Sequence, residues 1–365
     1  MSHATSTDEL PPEPVALRAV LAPAAWLYGA IVALRNMLYD RRWLRIYKAD
    51  APVISVGNLT VGGTGKTPVV LELWRRLVAL RRRPAILTRG YAAARGQPAD
   101  EVLEMLDEAP DALVVVEPDR VAGAGWAIDA RAVDCLLLDD GFQHRRLARD
   151  LDIVLIDALR PWGGGRLLPA GRLREPRASL RRAQVVLVTR ANQVEAGRVS
   201  EIAAEITRLA PRARVLTADV RPTGLLWTDA AGERRRELAA LACTTPLPVC
   251  GLGNPASFVA AVEELCAAAR RPLLFRDHHR YAARDVARIL QAARQAGADA
   301  VVVSRKDWVK LAPLWAAAGA AAETPLVRLD ARMEIQDPTG ALDAALRRAL
   351  RMPPAASPEQ ERAQP

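Results

Sequence analysis

A glycine-rich run near residue 60 carries residue types that bind nucleotide phosphates. Val61-Gly62-Gly63-Thr64-Gly65-Lys66-Thr67-Pro68 follows an apolar, strand-like segment at residues 53–56 and opens a helical pattern. Glycines let backbone N–H groups turn towards phosphate oxygens, and a helix N-terminus adds partial positive charge. In such a phosphate-binding loop (P-loop), the lysine reaches the β- and γ-phosphates and the threonine hydroxyl coordinates Mg²⁺. The predicted nucleotide-binding residues are Thr60, Val61, Gly62, Gly63, Thr64, Gly65, Lys66 and Thr67.

Lysine is scarce in this chain, which makes its place in the P-loop informative. Of 51 basic residues, only Lys48, Lys66, Lys306 and Lys310 are lysines. An ammonium is a point charge and a guanidinium a planar fork, so the two are not interchangeable at a phosphate. Thr60 replaces the first glycine of the full signature, so the match is to the core GxGK[ST] pattern. The alternative is a glycine-rich turn with a solvent-facing lysine, but the strand–loop–helix context favours phosphate binding.

Two adjacent aspartates close a second apolar segment. Asp139-Asp140-Gly141-Phe142-Gln143-His144 follows the strand-like residues 133–138, and ligands bind at the carboxyl ends of strands in open parallel sheets. A carboxylate at such a strand end orders Mg²⁺ in P-loop enzymes, and adjacent carboxylates repel each other unless a cation compensates them. The alternative role is a helix N-cap. We predict that Thr67 and one of Asp139 and Asp140 hold Mg²⁺.

The histidines offer a possible proton acceptor. Of the four, His3 lies in a polar N-terminal tail, His144 follows the acid pair, and His278 and His279 follow Asp277. A histidine pair after a strand is often structural, and further zinc ligands are lacking nearby. Asp277 would, however, orient an imidazole as a base.

Two other nucleotide-binding classes fit less well. Guanine recognition requires Asn/Thr-Lys-x-Asp after a late strand, whereas this chain has Lys306-Asp307-Trp308. The P-loop ATPases that partition DNA or deliver metals often carry a lysine just before the glycine pair, where this chain has Val61. A nucleotide-driven switch that gates a DNA or protein partner remains the alternative function.

Composition limits the class of protein. A chain of 365 residues predicts two domains, and 50% hydrophobic and 25% charged residues are typical of a globular protein. The four cysteines lack CxxC spacing, which indicates free thiols in a reducing compartment. The net charge of +9 fits an anionic membrane or an acidic substrate, and aromatic residues at 4% argue against nucleic acid as a partner.

Short apolar runs alternate with helical patterns, which predicts a doubly wound, parallel α/β sheet around the P-loop and a second, smaller α/β domain. The helix after the P-loop is predicted to run to about Arg83. The expected organisation is a disordered segment at 1–14, a membrane-associated helix at 15–45, a P-loop domain at 46–215, a hairpin-like linker at 216–235, the smaller domain at 236–350 and a disordered tail at 351–365.

The N-terminal helix is predicted to lie on a membrane. Residues 19–34 carry no charge and are followed by several arginines interleaved with aromatic residues. The run is short for a membrane span, which needs about 20 residues, and it does not fit a cleaved signal peptide. A basic, aromatic-flanked apolar helix is typical of a protein on the cytoplasmic face of a membrane. A buried first helix of a soluble domain is the alternative.

Together these motifs resemble the tetraacyldisaccharide 4'-kinase family, the lipid A 4'-kinases of Gram-negative bacteria. The resemblance extends from about residue 17 to 335, and its most specific strings are the DDGFQH motif at residues 139–144 and the LPAGRLREP motif at residues 168–176. It implies two α/β domains, a membrane-associated N-terminal helix, and transfer of the ATP γ-phosphoryl group to the 4'-hydroxyl of a lipid-linked disaccharide 1-phosphate, with Mg²⁺. The implied location is the cytoplasmic face of the inner membrane, and the oligomeric state stays open.

The resemblance also implies roles for particular residues. The family's catalytic aspartate lies in a Gly-Asp-Glu-Pro run, and the counterpart here is Ala99-Asp100-Glu101-Val102, after a shorter loop. Asp107-Glu108 is a rival acid pair, but its spacing to Asp119 is too short. We therefore expect Asp100, helped by His278, to accept the proton of the sugar hydroxyl. The expected substrate or phosphate contacts are Arg120, Gln143, His144, Arg174 and Glu175.

Overall fold

The computed structural model describes residues 15–90, 100–277 and 279–353, with the backbone alone for residues 15–19 and 100. The helices are α1 (Val15–Asp40), α2 (Lys66–Ala79), α3 (Asp100–Glu108), α4 (Arg120–Arg131), α5 (Ala196–Leu209), α6 (Pro255–Leu265), α7 (Ala283–Ala296), α8 (Arg305–Ala317) and α9 (Ala341–Ala349). The strands are β1 (Val53–Asn58), β2 (Pro84–Thr88), β3 (Leu113–Val116), β4 (Cys135–Asp139), β5 (Leu151–Asp157), β6 (Val185–Thr189), β7 (Arg214–Asp229), β8 (Gly232–Arg236), β9 (Leu247–Cys250), β10 (Leu273–Leu274), β11 (Val301–Ser304) and β12 (Leu326–Gln336).

These strands form a single sheet in the order β10-β9-β11-β12-β7-β6-β5-β1-β4-β2-β3, with β8 paired to β7. Every residue of β1, β2, β4 and β6 is buried, as expected for strands covered by helices on both faces. The α/β class is therefore confirmed. The sheet is mixed rather than wholly parallel, because β7 pairs antiparallel with both β8 and β12.

The antiparallel pair of β7 and β12 turns the carboxyl ends of the two halves of the sheet towards each other. In the P-loop half (β1–β6), the last residue of β6, Thr189, is opposite Ala218 of β7. In the second half (β9–β11), Ser304 at the end of β11 is opposite Leu329, which in turn is opposite Leu225 of β7. Along β7, these two positions, Ala218 and Leu225, are separated by seven residues of extended chain, or roughly 23 Å. Loops that follow strands in both halves therefore converge on the middle of β7.

The division of the chain into domains stays a prediction, although several of its landmarks have a structural counterpart. The region expected to form a hairpin contains the turn between β7 and β8, with Leu225 opposite Arg236. Helix α9 packs against the P-loop half: Leu342 and Leu346 share a buried core with Leu71 of α2, and Arg76 lies 3.1 Å from Asp343.

Two helices end earlier than the sequence predicts. Helix α2 stops at Ala79 instead of about Arg83, because Arg81 adopts a left-handed conformation (φ 58°) and the N–H of Arg82 bonds the carbonyl of Leu77. Helix α1 stops at Asp40, five residues before the predicted end of its segment, since Arg42 is also left-handed (φ 59°). At both C-termini, backbone hydrogen bonds end the helix and no helix-breaking residue is present. The hydrophobic periodicity of the sequence therefore did not predict where these helices end.

Helix α1 has a polar face on the protein and an apolar face in solvent. The Tyr28 hydroxyl donates to the Arg174 carbonyl (2.9 Å), and the Asn36 amide donates to Glu175 (2.9 Å). The exposed apolar side chains are Val20, Trp26, Leu27, Ile31 and Leu34. Residues 20–40 are long and apolar enough to cross a membrane, and only 6% of their most apolar stretch is buried. Because so little of it is buried, α1 is not the core helix of a soluble domain.

Candidate active site

The P-loop joins the buried strand β1 to helix α2. Gly62 and Gly65 have φ angles of 117° and 79°, which side-chain-bearing residues rarely adopt, so glycine is required at both positions. Gly65 immediately precedes the first turn of α2, which begins at Lys66. The predicted residues 60–67 therefore form one continuous loop that ends at a helix N-terminus, the geometry that binds phosphate.

Asn58, the last residue of β1, contacts this loop through its side chain. Its side-chain amide donates to the Thr64 hydroxyl (3.0 Å), and its Oδ1 lies 3.5 Å from the Lys66 ammonium. Its own carbonyl accepts from the Gln143 amide (2.9 Å). Asn58 is completely buried and connects the P-loop to the loop that follows the acid pair.

The acid pair lies beside the P-loop because β4 is the direct neighbour of β1, with Asp139 opposite Val56. Asp139 is 3% exposed and its Oδ2 accepts from the Thr88 hydroxyl (3.1 Å). Burial, and then the nearby Glu101, raise the pKa of Asp139 to about 6. Burial therefore makes the ionised carboxylate costly, and a cation close to it would lower that cost.

Asp140 has the opposite electrostatic environment. Its Oδ2 accepts from Arg174 (2.6 Å) and its Oδ1 lies 3.7 Å from Lys66. Although burial raises the pKa of Asp140, Lys66 and Arg174 outweigh it and hold the pKa below its ordinary value. Asp140 is therefore fully ionised at neutral pH, whereas the neighbouring Asp139 keeps its proton up to a higher pH.

The oxygen ligands fit the magnesium ion that the sequence predicts. Oδ1 of Asp139 and Oδ1 of Asp140 are both buried and have no hydrogen-bond partner, and Thr67 lies in the first turn of α2. Mg²⁺ prefers such oxygen ligands and usually keeps water and substrate phosphate oxygens as its other ligands. Among the residues that the structure describes, no three His, Cys, Asp or Glu side chains cluster as a self-sufficient metal site. A magnesium ion here would thus share its ligands with the nucleotide.

The raised pKa of Asp139 leads to a stability prediction. The folded protein binds this proton more tightly than the unfolded chain, so the stability that it contributes falls as pH rises from about 4 to about 6. Above that range the buried carboxylate costs roughly 3 kcal/mol. We expect Asp139→Asn to raise the Tm at pH 8, to leave it nearly unchanged at pH 4, and to reduce the Tm increase that we expect Mg²⁺ with ADP to give the wild-type protein at pH 8.

Thermal denaturation at the two pH values, with and without Mg²⁺ and ADP, tests this expectation. Asp129→Asn, on the outer end of α4, is the control and should change none of these values. Equal Tm values for Asp139→Asn and wild type at pH 8 would show that the ionised Asp139 carboxylate does not destabilise the fold, and would contradict a cation site at this position.

Basic groups adjoin the acid pair. Arg120, buried at the start of α4, donates to the carbonyls of Glu117 (2.7 Å) and Asp139 (3.3 Å), while its Nε has no partner. Burial, and then Arg120 and Arg89, lower the pKa of His144 to about 4. His144 is thus neutral at pH 7, and its buried Nε2 has no partner in the described structure. It can offer a hydrogen bond to a phosphate, but in its neutral state it adds no positive charge.

Two other predicted substrate contacts have protein partners. Gln143 bridges Asn58 and Arg174, with its Oε1 3.4 Å from the Arg174 guanidinium. Glu175 is 1% exposed and accepts from Arg182 (2.9 Å) and Asn36. These contacts anchor α1 and the loop around residue 174, so the structure gives Glu175 a supporting position. A direct contact between Glu175 and the substrate stays a prediction.

Both predicted catalytic groups, the Asp100 side chain and His278, lie outside what the structure describes. The residues next to both of them are described. Helix α3 runs from the acid pair to the region around His278. Near its start, Glu101 is close enough to contribute to the raised pKa of Asp139. One turn later, desolvation raises the pKa of Glu104 to about 7, against the opposing effect of Lys306.

Lys306 extends this connection to the segment around His278. It donates to Asp277 (2.9 Å), and Lys310, one turn further along α8, donates to the His279 carbonyl (3.2 Å). His279 itself lies 3.2 Å from Asp285 and packs against aromatic rings, as a structural histidine does. Two of the four lysines of the chain therefore hold the residues on either side of His278.

Comparison with known proteins identifies the family. The family model described as tetraacyldisaccharide-1-P 4'-kinase matches residues 17–351. The chain belongs to this family. A tetraacyldisaccharide 4'-kinase from Anaeromyxobacter dehalogenans strain 2CP-1 is 40% identical over 339 residues, which cover 88% of each chain. One from Geobacter sulfurreducens is 38% identical over 314 residues, covering 81% of this chain and 84% of that protein.

A solved structure gives the same result for the fold. LpxK from Aquifex aeolicus, in complex with ATP, superposes with a TM-score of 0.69 at 27% identity and covers 92% of this chain and 99% of that chain. The protein is thus an ATP-dependent tetraacyldisaccharide 4'-kinase with a P-loop α/β fold, as the sequence motifs predicted. The alternative of a nucleotide switch for a DNA or protein partner is not supported.

Proposed function

We propose that this kinase binds the phosphates of ATP with residues 60–67 and works at a membrane surface on a tetraacyldisaccharide 1-phosphate. The observation that carries the proposal is the convergence of Lys66, Asp140 and Arg174 beside the P-loop. At the carboxyl edge of the sheet, the ionised carboxylate of Asp140 lies 3.7 Å from the Lys66 ammonium and 2.6 Å from the Arg174 guanidinium. This is where a transferring phosphoryl group needs charge neutralisation.

The nucleotide's phosphates would be held chiefly by backbone and lysine. Amides of the P-loop and the N-terminus of α2 bind phosphate oxygens, and Lys66 neutralises the β- and γ-phosphates. Asn58 holds the Lys66 ammonium towards the loop instead of towards solvent. Bound Mg²⁺, held by Thr67 with Asp139 or Asp140, would neutralise developing negative charge on the phosphates.

The sugar hydroxyl must lose a proton as it attacks the γ-phosphorus. We assign this proton to Asp100, with His278 as its helper, because α3 leads from the acid pair to the lysines that hold the segment around His278. Arg120 and Arg174 would supply positive charge to the acceptor or to the transferring group, and His144 a hydrogen bond. Phosphoryl transfer depends mainly on in-line placement, so these groups act by positioning as much as by chemistry.

Helix α1 would hold the enzyme on the cytoplasmic face of the inner membrane, where a lipid acceptor and cytoplasmic ATP meet. Its apolar face is exposed, its polar face is bonded to the residue 174 loop, and Arg41, Arg42 and Arg45 follow it. An apolar helix face flanked by arginines and tryptophans is typical of interfacial binding to anionic lipid. Arg174 lies in contact with both Asp140 and Tyr28, so the membrane helix adjoins the reacting centre.

Product analysis tests the reaction. The full-length protein in detergent micelles, given ATP, Mg²⁺ and a tetraacyldisaccharide 1-phosphate, should yield a product with one added phosphate at the 4' position, assigned by NMR. The same lipid with its 4'-hydroxyl blocked should yield none. ATP hydrolysis without any phosphorylated lipid would contradict the proposal.

A further inference from the structure

Two residues at the end of β6 bind the P-loop from the side. The Thr189 hydroxyl donates to the Thr64 carbonyl (3.1 Å), and the Arg190 guanidinium donates to the Gly63 carbonyl (2.9 Å). Thr189 is 1% exposed. Neither contact was expected from the sequence, and neither residue belongs to the motifs that indicate nucleotide binding.

These contacts fix the direction of two peptide units. A trans peptide is planar, with its C=O and its N–H on opposite sides. When the Gly63 carbonyl points to Arg190, the Thr64 N–H points to the other side of the loop. In the same way, the contact between the Thr64 carbonyl and Thr189 directs the Gly65 N–H away from β6. Both N–H groups belong to the run assigned to the phosphates of ATP.

Arg190 is itself held firmly in place. Its guanidinium forms a two-pronged pair with Asp157 at the end of β5, one prong of which measures 2.9 Å. Its own N–H donates to the Ala218 carbonyl (3.0 Å). The residue adopts a left-handed conformation, with φ 58°, which a non-glycine residue keeps only where its surroundings enforce it. The guanidinium is therefore placed before any ligand arrives.

The P-loop needs such an external constraint because its own sequence supplies little. Nothing lies within 4 Å of where a Cβ on Gly63 would be, and Gly62 is in a conformation that only glycine adopts readily. Without a carbonyl partner, the peptide between Gly63 and Thr64 can rotate and present its carbonyl oxygen to an anion. A donor aimed at phosphate contributes most when it is already oriented before binding.

We propose that Thr189 and Arg190 are positioning residues that orient the Thr64 and Gly65 N–H groups towards the β-phosphate of the nucleotide. This inference rests on the proposed role of residues 60–67 in ATP binding. Asp157 acts one step further away, by holding Arg190.

Nucleotide affinity of the full-length protein in detergent tests the proposal, with ADP as the probe because it carries the β-phosphate. Loss of one contact should weaken ADP binding about tenfold, and Thr189→Val with Arg190→Met together about a hundredfold. Thr189→Ser should restore most of the affinity, since it keeps the hydroxyl donor, whereas Arg190→Lys should restore only part of it, because it keeps a donor but loses the two-pronged pair with Asp157. The matched controls are Thr207→Val and Arg198→Met on the surface of α5, where each side chain makes only a local contact.

Denaturation of the same variants separates positioning from a structural role. The proposal predicts that Thr189→Val loses ADP affinity at a temperature well below its Tm, whatever its change in Tm. A lower Tm with ADP affinity within twofold of wild type would overturn it. Lys66→Ala separates the positioning role of Thr189 and Arg190 from the nucleotide-binding role of residues 60–67. If Lys66→Ala loses ADP affinity and Thr189→Val keeps it, only the positioning role is contradicted. If Lys66→Ala also keeps it, the assignment of residues 60–67 fails.

Discussion

Replacing Lys66 with alanine is expected to lower kcat by about a thousandfold, a loss typical of removing one group that stabilises transition-state charge. The Lys66 ammonium lies between Asn58 and Asp140, and no other lysine of the chain lies in the P-loop. Asp140 keeps its 2.6 Å contact with Arg174 in this variant, so the fold should persist. Steady-state phosphoryl transfer at saturating ATP and lipid measures the effect.

Two further variants, compared with Lys66→Ala, show whether the shape of the cation and the proton acceptor also matter for the rate. Lys66→Arg should recover little, because a planar guanidinium does not fit the site of a compact ammonium. Asp100→Ala should cost less than Lys66→Ala, about a hundredfold, since the loose transition state of phosphoryl transfer depends more on charge neutralisation than on early proton removal. Greater damage from Asp100→Ala would contradict this ranking and make proton transfer the main contribution.

Placing charge on the exposed face of α1 is expected to release the protein from membranes. Leu27 and Ile31 are 65% and 57% exposed, one turn apart. Burying such a side chain in an apolar environment contributes about 1.5–3 kcal/mol. The double substitution Leu27→Asp with Ile31→Asp should therefore weaken binding to vesicles of phosphatidylethanolamine and phosphatidylglycerol by at least a hundredfold, measured by co-sedimentation.

The control and the activity of this variant show whether α1 acts through the membrane. Val78→Asp, on the exposed side of α2, introduces the same kind of charge at a comparable exposure and should leave vesicle binding unchanged. In the α1 variant, phosphorylation of lipid in vesicles should fall in proportion to binding, while ADP affinity stays at the wild-type value. Full vesicle binding by the double variant would show that α1 does not hold the enzyme on lipid.

The sequence predicted the parts of the site that depend on local patterns. The P-loop, the apolar strand before it and the acid pair at the end of β4 each lie within about ten consecutive residues, and they meet because adjacent parallel strands end at the same edge of the sheet. The apolar N-terminal helix could also be predicted from the sequence, since 16 uncharged residues in succession are rare in a chain with 25% charged residues.

Contacts between distant segments were not predictable in this way. Thr189 is an ordinary polar residue at a strand end, and only the sheet order brings β6 beside the P-loop. The neutral state of His144 depends on burial among arginines from other elements, including Arg120 and Arg89, which no local pattern reveals. Likewise, the carboxylate of Glu175 is bonded by Arg182 and by Asn36 of the distant helix α1.

Transfer of ³²P from γ-labelled ATP to tetraacyldisaccharide 1-phosphate in micelles with Mg²⁺ measures whether the P-loop holds the phosphate that is transferred to the lipid. Wild type, Lys66→Ala, Asp100→Ala and His278→Ala would be compared at equal concentration. The expected result is a labelled bis-phosphorylated lipid from wild type, almost none from Lys66→Ala, and intermediate losses from the other two. Labelled lipid from Lys66→Ala at the wild-type rate would contradict it, because the P-loop would then not hold the transferred phosphate.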